Sequence, residues 1–361
     1  MRTAVGLERL LLSESNVSDL IQFFASEDPE PLAGLLGVDF DDVRRESLMG
    51  AKRADLVLRR AGRPVAAIEL KVAHAFSDEQ RKAYESWASV NGAPVLVLSS
   101  LDSAPLDLPP GWKHHPLKTV FRAWTLSRKS FVPSLAMRVT DVLERWNKVV
   151  EGVDKPMTEA GALTFDDIDD VALLRVVSRE LAVALHAAGW AARAGVSSGG
   201  GNPLVQSWEQ VKGVEDVWFI ADARFEENRV HLRFGVDGGP GTAEEVWRVA
   251  QALDDAITVD ALVTFIDGTS NERSSTLPRF EAGGRGRPRA RGDWNAVVLA
   301  GKKAAGANPG FLRDGLTRLE CGGRILKSDL NSWSLKLLLE AVHDHLRAAW
   351  AALAADAGAR P

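Results

Sequence analysis

Cysteine is almost missing from this 361-residue chain, which has one, Cys321. A lone thiol excludes an internal disulfide and any zinc site built from several cysteines, and it fits a reducing, cytoplasmic setting. No apolar run approaches the roughly 20 residues needed to cross a bilayer, so no membrane partner is expected. The N-terminal MRTAVGLERLLLSESN acquires acids early and lacks the small-residue cleavage site of a secretory leader. Repeats of solenoid period are absent. The glycine-rich GGPGTAEE at residues 238–245 has no lysine of the kind a P-loop needs, so ATP is not expected as a ligand. The serines of GVSSGGGNP lack the strand–elbow–helix setting that makes a serine nucleophilic. His114–His115 and the pair His343 and His345 have no further metal-ligand partners nearby in sequence, and they read as surface residues.

Strong net charge is missing too. The formal charge is −5, with 45% hydrophobic and 26% charged residues, as in an ordinary globular protein able to build a core. The length suits two domains. The charge is unevenly spread. Residues 1–50 hold ten acids and four bases (−6), residues 111–150 eight bases and two acids (+6), and residues 279–303 seven bases and two acids (+5). Basic patches on an acidic protein suit a polyanionic partner, although scattered solvated charge gives the same count.

Pattern and punctuation give the order of elements. Residues 5–26 predict helix, broken near Ser13–Asn16, with Asn16 as an N-cap and Asp19 three residues on. DVRRESL predicts a first strand. ADLVLRR and PVAAIELKV, joined by AGR, predict a β-hairpin. SDEQRKAYESWASV predicts a helix capped by Ser77. APVLVLSS, apolar throughout, predicts a strand buried on both faces. A basic, proline-broken connection spans 109–135 and a helix follows to about residue 150. EGVDKPMTEAGALTF, 151–165, predicts a linker. Beyond it, in 166–361, the expected elements are a helix at 166–188, strands at 216–224 and 229–236, a helix at 242–257, strands at 260–266 and 294–299, and a closing helix from about 330 to 356. The fold class expected is α/β: an N-terminal α-β-β-β-α-β domain in 1–150 and a second α/β domain at the C-terminal end.

Three charged residues stand among the apolar positions of the two hairpin strands. Asp55 lies near the start of one, and Glu69 and Lys71 flank Leu70 at the end of the other. Side chains alternate across a strand, so Glu69 and Lys71 share a face, and Asp55 lies on the paired strand. Buried charges are costly unless paired or metal-bound. Carboxylate oxygens suit Mg²⁺ or Mn²⁺, and an ammonium two residues away is placed to stabilise negative charge or to help activate water. A solvated salt-bridge cluster is the alternative that the same spacing allows.

The whole arrangement resembles the PD-(D/E)XK nuclease superfamily: RADLVL carries the aspartate, AAIELK carries Glu-x-Lys, and QRKAY resembles the Gln-x-x-x-Tyr of its RecB-like members. Ala54 stands where a proline usually precedes the aspartate. The resemblance covers residues 5–100. It implies a restriction-endonuclease-like core and a Mg²⁺- or Mn²⁺-dependent nuclease acting on DNA, in restriction or defence against foreign DNA. Asp55, Glu69 and Leu70 would lie at the metal, with Lys71 as base or charge stabiliser and Gln80 and Tyr84 supporting them. A glutamate of the first helix often completes such a site. Glu8 is the best match, with Glu14 next and Glu46 on the first strand after it. His74, three residues past Lys71, reads as a loop histidine. A non-catalytic module binding nucleic acid or a protein, or a nuclease directed at RNA, remains open. Relatives often dimerise, so a homodimer is possible on the same ground.

The second domain shows no other Asp…Glu-x-Lys and is expected to choose the substrate or to oligomerise. Arg285, Arg287, Arg289 and Arg291, set among glycines, with Lys302 and Lys303 beyond them, are the expected phosphate-backbone contacts.

Overall fold

The computed structural model describes residues 6–49, 52–72, 76–101, 108–197, 201–239, 241–269, 277–281, 311–313 and 316–358. The expected strand at 294–299, His74, and Arg285, Arg287, Arg289, Arg291, Lys302 and Lys303 lie outside them. The fold is mixed α/β in two compact units, residues 1–151 with 168–180 and residues 152–167 with 181–361. The stretch 151–165 is therefore not a free linker. Nearly all of it belongs to the second unit, where Phe165 N–H donates to the Leu330 carbonyl and Asn331 Nδ2 to that of Lys155. No helix among the described residues is long and apolar enough to cross a membrane.

The first unit begins with helices α1 (Leu7–Leu11), α2 (Glu14–Glu27) and α3 (Glu30–Leu36). Ser13, not Asn16, caps α2: its hydroxyl accepts from the Asn16 N–H. An antiparallel meander follows, β1 (Asp42–Met49), β2 (Lys52–Arg60) and β3 (Arg63–Lys71). The β2–β3 turn is Ala61–Gly62, both left-handed (φ 49° and 76°), the geometry whose twist matches paired strands. Helix α4 (Asp78–Asn91) then returns the chain so that β4 (Val95–Ser100) runs parallel to β3. Ser77 and Gln80 form a reciprocal capping box at its start, and left-handed Gly92 ends it. β5 (Trp112–His114) closes the sheet in the order β1-β2-β3-β4-β5, followed by α5 (Leu117–Ala123) and α6 (Val132–Val153).

Helix α7 (Val171–Ala187) has its first ten residues in the first unit. The second unit holds a fully antiparallel sheet of β6 (Ala191–Val196), β7 (Pro203–Gln210), β8 (Val217–Phe225), β9 (Arg229–Gly238), β10 (Phe311–Arg313) and β11 (Leu316–Leu326), ordered β10-β11-β9-β8-β7-β6. Helices α8 (Ala243–Ala252), α9 (Val259–Gly268) and α10 (Ser332–Gly358) pack on it. Residues 260–266, expected as a strand, are helix α9. Thr258 caps it by accepting from the Ala261 N–H, and Val259, Leu262 and Ile266 are buried at helical spacing. His343 and His345 are not on the surface. His343 is fully buried, stacks on Trp190 and hydrogen-bonds Ser207 at 2.8 Å, while His345 hydrogen-bonds the Ala256 carbonyl.

Candidate active site

β3 ends in Ile68-Glu69-Leu70-Lys71. Leu70 sends its side chain into the core, which leaves Glu69 and Lys71 on the other face, 2% and 5% exposed. A carboxylate and an ammonium this deep require partners, and the structure supplies them from four elements. Lys71 Nζ lies 2.5 Å from Glu69 Oε1 and 3.6 Å from Glu14 Oε2. From α4, Gln80 Nε2 donates to Glu69 Oε1 at 2.9 Å and the Tyr84 hydroxyl donates to Glu69 Oε2. Gln80 also spends its own oxygen on the helix cap, accepting from the Ser77 N–H at 3.3 Å. One side chain thus fixes the start of α4 and the orientation of Glu69.

Asp55 joins this group from β2. Its Oδ2 accepts from the Leu70 N–H at 2.8 Å, and its own N–H donates to the Tyr84 hydroxyl at 3.1 Å. That N–H is available because the β1–β2 pairing passes from Arg45–Leu56 to Ser47–Ala54 without a pair at Asp55. Opposite the gap stands Glu46, held at a φ of 47°, a conformation that is uncommon outside glycine. Tyr84, the only tyrosine of the chain, ties both carboxylate-bearing strands to α4.

The third acid is Glu14, not Glu8. Glu14 is the first residue of α2, and its Oε1 accepts from the Val72 N–H at 3.1 Å. Glu8 instead pairs with Arg145 at 2.8 Å. Glu46 is exposed and pairs with Arg53 at 2.7 Å. On the other side of Val72, Arg179 Nη2 of α7 donates to its carbonyl at 3.0 Å. Nothing in the sequence pointed to Arg179, which lies 107 positions from its partner.

Burial, reinforced by repulsion from Glu69 and Glu14, pushes the Asp55 carboxyl up to about 7 against the opposing pull of the Leu70 N–H and Lys71. Burial works against the charge on Lys71, but Glu69, Glu14 and Asp55 together outweigh it and hold the ammonium above the ordinary lysine value. Burial beside Glu69 and Asp55 raises Tyr84, which stays a hydroxyl donor. Among the described residues three acids surround Lys71, and the elevated Asp55 registers that crowding.

No group of three or more His, Cys, Asp or Glu side chains among the described residues is poised to hold a metal as it stands. The hydrogen bonds explain why: Glu69 is engaged by Tyr84, Gln80 and Lys71, and Glu14 by Val72 and Lys71. The donor chemistry still fits a hard divalent cation, since the ligands at hand are carboxylates in excess of the local positive charge. Leu70 can add only its backbone carbonyl, because its side chain is buried.

Two other clusters in the second unit gather charged or nucleophilic side chains. In the second unit Asp222, Asp237 and Glu320 share a sheet face, but Arg233 pairs with Asp222 and Glu320 at 2.7 and 2.6 Å, and Arg318 pairs with Asp237 at 2.9 Å. Two arginines between them pair with all three acids, which leaves one carboxylate in excess. Ser207, His343 and Glu209 line up as a nucleophile–base–acid series, with His343 Nδ1 3.9 Å from Glu209. Ser207 and His343 are both fully buried, and burial lowers His343 to about 3. A base so weak, on a serine no substrate can reach, does no acyl transfer. No protein-family model, no curated protein and no solved structure matches the chain.

Proposed function

We propose that the first unit is a restriction-endonuclease-like domain and that the chain is a Mg²⁺- or Mn²⁺-dependent nuclease acting on DNA. The observation that carries this reading is the convergence of Asp55, Glu69 and Lys71 on one site, with Gln80 and Tyr84 both bound to Glu69. The α-β-β-β-α-β order of elements supports it. Asp55, Glu69 and the Leu70 carbonyl would hold the cation, with Glu14 beside them. Bound there, Mg²⁺ or Mn²⁺ supplies Lewis-acid polarisation of the phosphate.

The protein's own groups do the rest. Hydrolysis forms one P–O bond from water and breaks one to a sugar oxygen, and negative charge builds on the phosphoryl oxygens between. Lys71, held as an ammonium, stabilises that charge. Glu69 at 2.5 Å and Glu14 at 3.6 Å favour the ammonium form, which suits a charge stabiliser, and a role as base is the alternative. Gln80 and Tyr84 keep the Glu69 carboxylate in one orientation, and the capping box fixes Gln80 in turn.

The test is incubation of purified protein with plasmid, linear duplex and single-stranded DNA in Mg²⁺, Mn²⁺ or EDTA. Cleavage is expected with either metal and none in EDTA. Cleavage that survives EDTA, or is undiminished in Glu69→Gln, overturns the reading. Binding of DNA without cleavage in any metal would favour a non-catalytic module, and preferential cleavage of structured RNA an RNA-directed enzyme.

A second prediction separates the two glutamates. Glu14→Gln keeps an oxygen for the Val72 N–H but gives up the charge beside Lys71, and it is expected to lower the cleavage rate about tenfold or more. Glu8→Gln breaks only the partly exposed pair with Arg145 and should stay within about twofold, as partly solvated ion pairs contribute little. Equal effects in steady-state rates would contradict the assignment of Glu14.

A further inference from the structure

Helix α7 follows the stretch expected as a linker, yet residues 168–180 belong to the first unit. Most of this segment is apolar and buried: Ala172, Leu173, Leu174, Val176, Val177 and Ser178 are all covered. Arg175 and Arg179, both half-buried, interrupt that run four residues apart and so adjacent on one helix face, with the exposed Val171 one turn before them. Arg179 reaches the carbonyl of Val72, the residue directly after Lys71. The guanidinium is thereby fixed where β3 leaves the candidate active site. Arg175, one turn away, has its Nε buried without a hydrogen-bond partner. Both side chains stay partly exposed, and a guanidinium fork matches the oxygens of a phosphate.

We propose that Arg175 and Arg179 form a phosphate-binding pair that holds the substrate strand next to the cleaved bond. The ligand class is a phosphodiester backbone, and the pair reads no base sequence. This proposal rests on the nuclease reading for its location, but its test does not depend on cleavage. The probe is a fluorescent 20-base-pair DNA duplex bound to the full-length protein in EDTA, titrated between 50 and 300 mM salt. The variants are Arg175→Ala, Arg179→Ala, Arg175→Lys and the double alanine variant, each with a thermal melt alongside.

Each alanine is expected to flatten the slope of log K against log [salt] by about 0.9, and to weaken binding about fivefold at 0.15 M salt, for one lost duplex phosphate contact. Arg175→Lys should keep most of the slope, because the charge remains. A merely structural arginine would lower the melting temperature and leave the slope unchanged. Arg175→Ala, with no Nε partner to lose, is the variant that excludes that explanation if Arg179→Ala unfolds. Wild-type slope and affinity in Arg175→Ala overturn the pair, as does a wild-type protein that binds no duplex. Wild-type cleavage with unchanged slopes retains the nuclease and rejects the pair. Altered slopes in a protein that never cleaves retain the pair and reject the nuclease.

Discussion

Lys71→Met is expected to abolish detectable cleavage and to destabilise the protein by about 3 kcal/mol at pH 8 in EDTA. Both effects have one origin. Lys71 is the cation that the hydrogen-bond and ion-pair geometry sets against Glu69, at 2.5 Å, and Glu14, at 3.6 Å. Removing one partner of a buried pair strands the other charge, which is the expensive way to break such a pair. Because the folded-state pKa of Lys71 is raised, its contribution is fully present below the ordinary lysine value of 10.5 and is lost only as pH rises above it. At pH 8 the whole effect should therefore be visible. The loss in cleavage follows from the missing ammonium, since removing one positioned donor to developing charge typically lowers a rate by about 100- to 1,000-fold.

A double-mutant cycle makes the argument quantitative. Glu69→Gln in the Lys71→Met background removes the stranded carboxylate, while an amide oxygen and nitrogen remain for Tyr84 and Gln80. Urea denaturation in EDTA should show the double variant more stable than Lys71→Met alone, with a coupling of about 1–3 kcal/mol. A Lys71→Met protein as stable as wild type, or a double variant less stable than both singles, would contradict the buried pair. Cleavage by Lys71→Met within threefold of wild type would remove lysine from the chemistry.

The part of this site that could be read in the sequence is the part built from local spacing. Asp55, Glu69 and Lys71 lie in two strands joined by a tight turn, so strand alternation alone brings them near one another. Gln80 and Tyr84 are four apart behind a serine cap, so helix geometry places them together. The remaining pieces come from long-range packing. Glu8 and Glu14 belong to neighbouring short helices, and which one reaches Lys71 depends on the break at Leu12–Ser13, which re-aims α2. Arg179 arrives from a helix that no spacing rule connects to β3. In the second unit, β11 was not among the expected strands, and it carries Gly322 and Gly323 in its interior, residues that weaken a strand pattern. They serve close approach: a Cβ on Gly322 would lie 2.4 Å from the Leu232 carbonyl oxygen, and one on Gly323 would lie 2.4 Å from the Phe280 ring. Residues 260–266 are a short apolar run, and such runs do not distinguish helix from strand by periodicity. The helix-start signal is Thr258 followed by Asp260. The core position of His343 also depends on tertiary packing against β7 and Trp190, which its helix alone does not disclose.

The second large effect concerns Asp55, whose pKa shift runs opposite to that of an aspartate in a simple salt bridge. Burial and the neighbouring Glu69 lift its carboxyl to about 7 from an ordinary 3.8. The groups facing it are Glu69 and Lys71 on β3, Glu14 on α2 and the Tyr84 hydroxyl on α4. Between pH 4 and 7 the folded protein keeps a proton that the unfolded chain has already released. Stability from this group must therefore fall as pH rises through that window, and the penalty is complete above pH 7. Asn at position 55 retains an oxygen for the Leu70 N–H without the charge. In EDTA, Asp55→Asn is expected to match wild type near pH 4. It should then gain on wild type as pH rises and level off about 4 kcal/mol more stable at pH 8. Mg²⁺ should narrow that gap from the wild-type side, by about 1.4 kcal/mol at ten times the dissociation constant, and should leave Asp55→Asn unchanged. Cleavage should be lost in the same variant, so that the substitution which stabilises the fold disables the site. The measurement is urea denaturation at pH 4, 6 and 8, with EDTA and with Mg²⁺. A stability difference that stays flat across pH would show that Asp55 ionises like a solvated aspartate. The crowding of carboxylates on which the proposed cation site rests would then be absent.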